Sequence, residues 1–118
     1  MKLAFSTNAF RRYSIEESIK IISEIGYGGI EIMCDTPHAY PPLTKEKINS
    51  IKNSIQKYNT SISNLNGFMM SAIGDFHHPS WIEHSIEERK KRISHTINCI
   101  NLAQQLGAST VSTEPGGP

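Results

Sequence analysis

The sequence lacks any long hydrophobic run. No apolar stretch approaches the ~20 residues that a membrane span needs. The N-terminal MKLAFSTNAFRRYS holds only a short apolar run before Arg11 and Arg12, too little for a secretory signal. Cysteine is scarce: Cys34 and Cys99 stand far apart and without CxxC spacing. They read as reduced, partly buried thiols of a cytoplasmic protein rather than as a secreted disulfide. An excess of charge of one sign is also missing. Twelve basic and 11 acidic residues leave a formal net charge of +1, which gives no electrostatic reason for a nucleic-acid or membrane partner. The expectation is a soluble, cytoplasmic chain. There is no low-complexity segment and no obvious linker, and 118 residues suit one domain.

What is present alternates between two periodicities. Leu3-Ala4-Phe5-Ser6 suits a buried strand. In SIEE, Ser14 and Glu17 form a capping box, Ile15, Ile19, Ile22 and Ile25 recur at helical spacing, and Gly26 stops the helix. GGIEIMC gives a second strand and DTPHAYPP a Pro-rich loop. Thr44 then caps a helix with Ile48, Ile51, Ile55 and Tyr58 on its apolar stripe, ending near Asn59. Ser61 to about Leu65 is a third strand. The segment NGFMMSAIGDFHHPSWIEH is too long and varied for a plain connector, and long connections often carry function. Ser85 and Glu88 predict a second capping box. The helix they open carries Ile86, Ile93, Ile97, Ile100, Ala103 and Leu106 and stops at Gly107. Ala108 to about Thr113 is a fourth strand.

The order β-α-β-α-β-α-β argues for parallel βαβ units. Such units build an open sheet or part of a barrel. The loop after the first strand, TNAFRRYS, has neither GxGxxG nor GxxxxGK[ST], so the dinucleotide-binding and P-loop readings fall away.

Ligands of parallel α/β folds bind at the carboxyl ends of the strands. The sequence places Thr7, Asn8 and Phe10 at the first such end, Glu31, Asp35 and His38 at the second, Asn64 and Asn66 at the third, and Glu114 at the fourth. Glu31 alternates with Ile30 and Ile32. It faces either a barrel interior, where a charge must be paired, or water on an edge strand. His77 and His78 are types that ligate metals or move protons, but adjacent histidines have no metal-site spacing. A loop can turn one toward a ligand while the other packs or meets solvent. Trp81 reads as the packing anchor of that loop. Glu114 precedes Pro115-Gly116-Gly117, a turn whose glycines allow close backbone approach to a ligand. His84 and His95 read as ordinary surface or helix residues.

MKLAFSTNAF, IGYGGIEIM, DFHHPSW and LGASTVSTEPGGP together resemble the N-terminal half of the sugar phosphate isomerase/epimerase family, the xylose isomerase-like TIM barrels. The resemblance covers nearly the whole chain. It implies a partial (β/α)8 barrel of about four parallel strands and three helices, with residues 1–118 as the N-terminal part of a single TIM-barrel domain. A complete barrel takes about 250 residues. The resemblance also implies a sugar or sugar-phosphate substrate and a divalent metal ion (Mn, Mg, Co or Zn) held by Glu, Asp, His and Glu of the later strands. None of those ligands falls in this stretch, so no metal is expected here and no catalytic residue is assigned. What remains is half of a substrate rim: Asn8, Glu31, Asn66, His77 or His78, and Glu114. By itself the chain is expected to be inactive and poorly stable, with Leu3, Phe5, Ile30, Ile32, Ile62 and Val111 partly uncovered. Two alternatives stand beside this reading. One is a non-catalytic half barrel that self-associates as a homo-oligomer. The other is a fragment of an endonuclease IV-like nuclease, disfavoured because Asn66-Gly67 and Glu114 stand where that group places metal-binding histidines.

Overall fold

The first strand, β1 (Ala4–Ser6), runs into a single 3-10 turn at Thr7–Phe10 and then into helix α1 (Ile15–Ile25). The computed structural model describes residues 1–116; Gly117 and Pro118, the end of the expected turn, lie outside the described residues. Strand β2 (Gly29–Met33), helix α2 (Lys45–Lys57), strand β3 (Ile62–Asn66), helix α3 (Ile86–Leu106) and strand β4 (Val111–Ser112) follow. The strands form one four-stranded parallel sheet in the order β1-β2-β3-β4. This is the expected partial barrel architecture.

Local chemistry accounts for the helix limits. The Ser14 hydroxyl accepts the Glu17 N–H, and the Glu17 carboxylate accepts the Ser14 N–H at 2.8 Å, so the predicted capping box is complete. Gly26 closes α1 at φ +111°, a left-handed conformation that costs glycine nothing. Thr44 caps α2 through the Lys47 N–H. At α3 the capping box is only half formed. Ser85 accepts the Glu88 N–H, but the Glu88 carboxylate pairs with Lys91 at 2.5 Å instead of reaching back.

The helices pack on one face of the sheet. Ile15, Ile19 and Ile22 of α1, Ile30 and Ile32 of β2, Ile51 of α2, Leu65 of β3 and Leu102 of α3 lie in one fully buried cluster, each worth about 1.5–3 kcal/mol of hydrophobic stabilisation. The expected exposure of Ile30 and Ile32 is therefore not found, because α1 and α2 cover them. Leu3 and Phe5 are exposed as expected, 60% and 38%, on the open edge at β1.

Two predicted helix stripes need correction. Ile25 is exposed, since at ~100° per residue it falls off the line of Ile15, Ile19 and Ile22. In α3 the buried residues are Arg92, His95, Cys99, Leu102, Ala103 and Leu106, while Ile86, Ile93, Ile97 and Ile100 are exposed. Those isoleucines lie roughly 100–160° round the helix from the buried line. His95, read from sequence as an ordinary residue, is only 4% exposed. No helix among the described residues is long and apolar enough to cross a membrane.

Candidate functional site

The sheet's two faces differ in chemistry. One carries the isoleucines and is covered by helices. The other carries short polar side chains, and strand register explains how they meet. A bulge between Ile30 and Glu31 shifts the β2–β3 pairing, so that Ile30 faces Ile62 but Glu31 faces Asn64 and Met33 faces Asn66. Ser6 pairs with Glu31 in the next register and Asn66 with Ser112. Partners in register share a face. The Asn64 carboxamide donates to Glu31 at 2.8 Å and to Ser112 Oγ at 2.8 Å, and Asn66 Nδ2 lies 3.5 Å from the other Glu31 oxygen. Glu31 thus sits on an internal strand, half-buried and held by amide donors, which decides between its two sequence readings.

At the carboxyl ends of the strands this polar face opens into a pocket of about 450 Å³. Asn8 enters from the turn after β1 and Asn66 from the end of β3. Glu114 follows β4, and Phe68, Phe76 and His77 come from the loop between β3 and α3. Phe68 and Phe76 meet edge to face with centroids 5.3 Å apart, and Phe76 packs on His77 at 5.1 Å. Two asparagines and a glutamate thus share the pocket with an aromatic pair. A larger hollow, about 570 Å³, runs between α3 and β4, but Ile100, Ala103, Val111 and small polar residues line it, with no ionisable side chain. Chemistry therefore favours the smaller pocket over the larger.

Asn8, Asn66, His77 and Glu114 share the pocket. Glu31 lies behind Asn66, reached through its amide. His78 turns away: its Nδ1 lies 2.5 Å from Glu83 Oε1 at the surface. That pairing raises the His78 pKa and draws the Glu83 carboxyl down to about 2.

The remaining strand-end residues build scaffold. The Thr7 hydroxyl is buried and accepts the Met33 N–H at 3.0 Å. His38 is buried, with Nε2 3.2 Å from the carbonyls of Phe10 and Tyr13. Burial lowers its pKa. Asp35 accepts the backbone N–H groups of Thr36, Met70, Ser71 and Ala72 at 2.7–2.8 Å. Burial pushes its carboxyl up, but the four donors outweigh that and hold it below the usual range. Asp35 is thus the pin that fixes the start of the long loop.

That loop is tied to the end of β4. The Trp81 N–H donates to the Pro115 carbonyl at 3.2 Å, and the Trp81 ring lies 5.8 Å from the Arg92 guanidinium. Arg92, 2% exposed on α3, donates to the Glu114 carbonyl and to Thr113 Oγ1. Gly116 has φ +69°, and a Cβ there would come within 3.0 Å of the His77 carbonyl, so glycine alone permits the two loops to touch. Trp81 is the anchor that its sequence context predicts. Sequence reasoning did not find Phe68, Phe76 or Arg92. Phe76 belongs to the DFHH motif and Phe68 opens the same long loop, so both had a signal in that position; an arginine in a helix gives none.

No three His, Cys, Asp or Glu side chains among the described residues stand close enough to hold a metal ion. The donor set present does not fit the divalent ion that the resemblance implies.

A model of the xylose isomerase-like TIM barrel family matches residues 19–118. No curated protein matches the chain. Among solved structures, the chain is similar to the apo form of 3-keto-D-glucoside 4-epimerase YcjR from E. coli, with a TM-score of 0.66 and 17% identity. The match covers 94% of this chain and 36% of that one, so the chain spans about a third of the epimerase's length. By its four parallel strands, its helical layer and the family match, the chain belongs to the xylose isomerase-like TIM barrels.

Proposed function

We propose that this chain is the N-terminal part of a sugar isomerase or epimerase and supplies one half of the substrate rim. One observation carries the reading: at the carboxyl ends of the strands, Asn8, Asn66 and Glu114 line a single pocket together with the Phe68–Phe76 pair. A sugar offers hydroxyls on its rim and C–H groups on its face, and such a lining answers both. Asn8 and Asn66 bind hydroxyls, the two rings cover the C–H face, and His77 closes one side. Glu114 accepts a hydroxyl proton or orients one. Glu31 holds the Asn64 and Asn66 amides at their working angle, and His78 braces the loop from outside. The family's 3-keto-sugar epimerase neighbour is consistent with this ligand class.

Among the described residues no Lys or Arg lines the pocket, which favours an uncharged sugar over a sugar phosphate in this half of the rim. A divalent ion would need ligands beyond these residues, and we assign it no step. The neutral charge balance and the free thiols Cys34 and Cys99 fit a cytoplasmic enzyme without a nucleic-acid partner. Taken alone, the chain binds without turning over substrate.

The test is chemical-shift mapping of the isotopically labelled chain against neutral hexoses, keto-hexosides and hexose phosphates. Shifts confined to Asn8, Asn66, Phe68, Phe76, His77 and Glu114, larger for the neutral sugars, support the reading. An absence of shifts, or shifts centred elsewhere, removes it.

A second reading rests on the exposed Ile86, Ile93, Ile97 and Ile100 of α3, which form an apolar line on the surface. They favour self-association as a homo-oligomer. Light scattering across a concentration series separates a discrete dimer from a monomer.

A further inference from the structure

Cys34 and Cys99, 65 positions apart in sequence, are neighbours in the fold. Cys34 follows β2, and its N–H donates to the Asn66 carbonyl at 2.8 Å. Cys99 sits on the buried line of α3, with its Sγ 3.7 Å from where a Cβ on Gly67 would stand. Both are free thiols, both fully buried, in the same apolar cluster. Each thiol lies near enough to perturb the ionisation of the other. The Cys99 Sγ also lies 3.4 Å from His95 Nε2.

His95 is an unusual neighbour for a core thiol. It is 4% exposed, stacks on Tyr40 at 5.3 Å, and its Nδ1 is buried with no hydrogen-bond partner. It also floors a separate hollow of about 260 Å³ that Tyr40, Met69, Ile73 and Lys91 line. A small polar molecule entering that hollow meets an imidazole in contact with Cys99. The neighbouring Cys34 thiol lowers the Cys99 pKa; burial opposes this, while His95 and the Arg92 charge assist it. The Cys34 thiol is correspondingly pushed up. Of the two, Cys99 is the more acidic thiol.

We propose that Cys34 and Cys99, with His95 beside them, form an oxidisable dithiol that a peroxide converts to an intramolecular disulfide joining the end of β2 to α3. The chemistry balances without another reagent. The Cys99 thiolate attacks one peroxide oxygen, the O–O bond breaks, and the leaving hydroxide takes a proton from His95 to become water. Cys99 is now a sulfenic acid. Cys34 attacks its sulfur, the S–O bond breaks, and the departing oxygen takes the Cys34 proton as a second water. Two thiols lose two electrons in all, and one peroxide gains them. The link would pin the Asn66–Gly67 turn, which lies against both cysteines and carries Asn66 into the candidate pocket. The proposal stands on the cysteine cluster and does not depend on what that pocket binds.

The experiment treats the native chain with hydrogen peroxide, quenches with catalase, denatures, and counts thiols with a maleimide alongside intact-mass and peptide mapping. Both thiols should disappear together, the mass should fall by that of two hydrogens, and the mapped bond should be Cys34–Cys99 within one chain, reversed by dithiothreitol. C34S should stop at a sulfenic acid that a cyclic-dione probe traps on Cys99. H95Q, if its circular dichroism matches the parent, should react several-fold more slowly. Thiols that stay alkylatable, a disulfide found only between chains, or an unchanged rate in H95Q would each overturn the proposal.

Discussion

The guanidinium of Arg92 is buried within α3's inner face and donates to the main-chain carbonyl of Glu114, two residues past the end of β4. A charge so placed must be paired, and here the carbonyl, the Thr113 hydroxyl and the Trp81 ring share that task. The contact joins a helix, a long loop and a strand end. It sets where the Glu114 main chain lies and so where its carboxylate can reach. Replacing Arg92 with Ala leaves the Glu114 carbonyl without its charged donor, and a charged hydrogen bond is worth about 1.5–3 kcal/mol. R92A should lose that much in urea unfolding, and amide exchange at Trp81 and Glu114 should accelerate. R92K, which keeps the charge but not the planar fork, should fall between. An R92A variant as stable as the parent would show that the clamp does nothing.

Asp35 makes a prediction about acid. Four backbone N–H groups converge on its carboxylate and hold its pKa below the ordinary value. A depressed carboxyl stabilises the fold above its ordinary pKa, and that stabilisation is lost as pH falls through the folded value. The contribution of Asp35 to the unfolding free energy should therefore be flat from neutrality to about pH 4 and decline below it. D35N removes the charge and leaves N–H groups facing a weaker acceptor, at a cost of about 1–3 kcal/mol near neutrality. Its acid decline should be shallower than the parent's. Parallel acid limbs in the two proteins would remove Asp35 as the cause.

His78 and Glu83 give a prediction of opposite sense. The pairing raises His78 and lowers Glu83. The His78 part is present in full below 6.5, its ordinary value, and is lost as pH rises through the raised one. The Glu83 part is present above 4.5 and is lost as pH falls toward about 2. The brace is complete only between those limits. In a proton NMR titration the His78 ring should show a pKa above 6.5, and E83Q should lower it. A His78 titration unchanged by E83Q would rule out the pair.

Much of this architecture is legible in the sequence, and the failures have physical causes. Ser14, Thr44, Gly26 and Gly107 announce their caps because short polar side chains and glycine satisfy helix ends by local rules. The strand-end positions of Asn8, Asn66 and Glu114 follow from βα alternation alone. Helix α3 is different, because two stripes coexist on it. Ile93, Ile97 and Ile100 have correct helical spacing and the greater hydrophobicity, yet Arg92, His95 and Cys99 face the core, since their partners lie far away in sequence at Glu114, Tyr40 and Cys34. Long-range pairing of polar groups has no local signature. The bulge at Ile30/Glu31 is equally silent, and it is what brings Glu31 beside Asn64. The burial assignment can be checked directly. I93S and I97S in the isolated chain should each change stability by less than about 0.5 kcal/mol, as surface substitutions do. L102A should cost about 2–5 kcal/mol. The reverse order would restore the isoleucine stripe to the core.

Gly67 follows β3 at the point where strand becomes loop, and the space above its Cα is already taken. Its N–H donates to the Ser112 carbonyl at 2.8 Å, and a Cβ would stand 2.9 Å from that same oxygen. The obstacle is backbone, so a side-chain rotation cannot relieve it. An alanine must either break the N–H···O bond or push β4 away from β3, and only two register pairs, Leu65–Val111 and Asn66–Ser112, hold those strands together. The loss of the bond costs about 0.5–1.5 kcal/mol, and leaving its groups buried adds up to ~3 kcal/mol. G67A should therefore lose about 2–4 kcal/mol in urea unfolding. It should also weaken any sugar binding seen at the pocket, because Asn66 and Glu114 flank the displaced strand, whereas G74A, with open space around its Cα, should leave sugar binding intact and suffer only the strain of its left-handed φ. If G67A binds as tightly as the parent while losing stability, the β3–β4 spacing does not set the pocket, and Asn66 acts independently of Glu114.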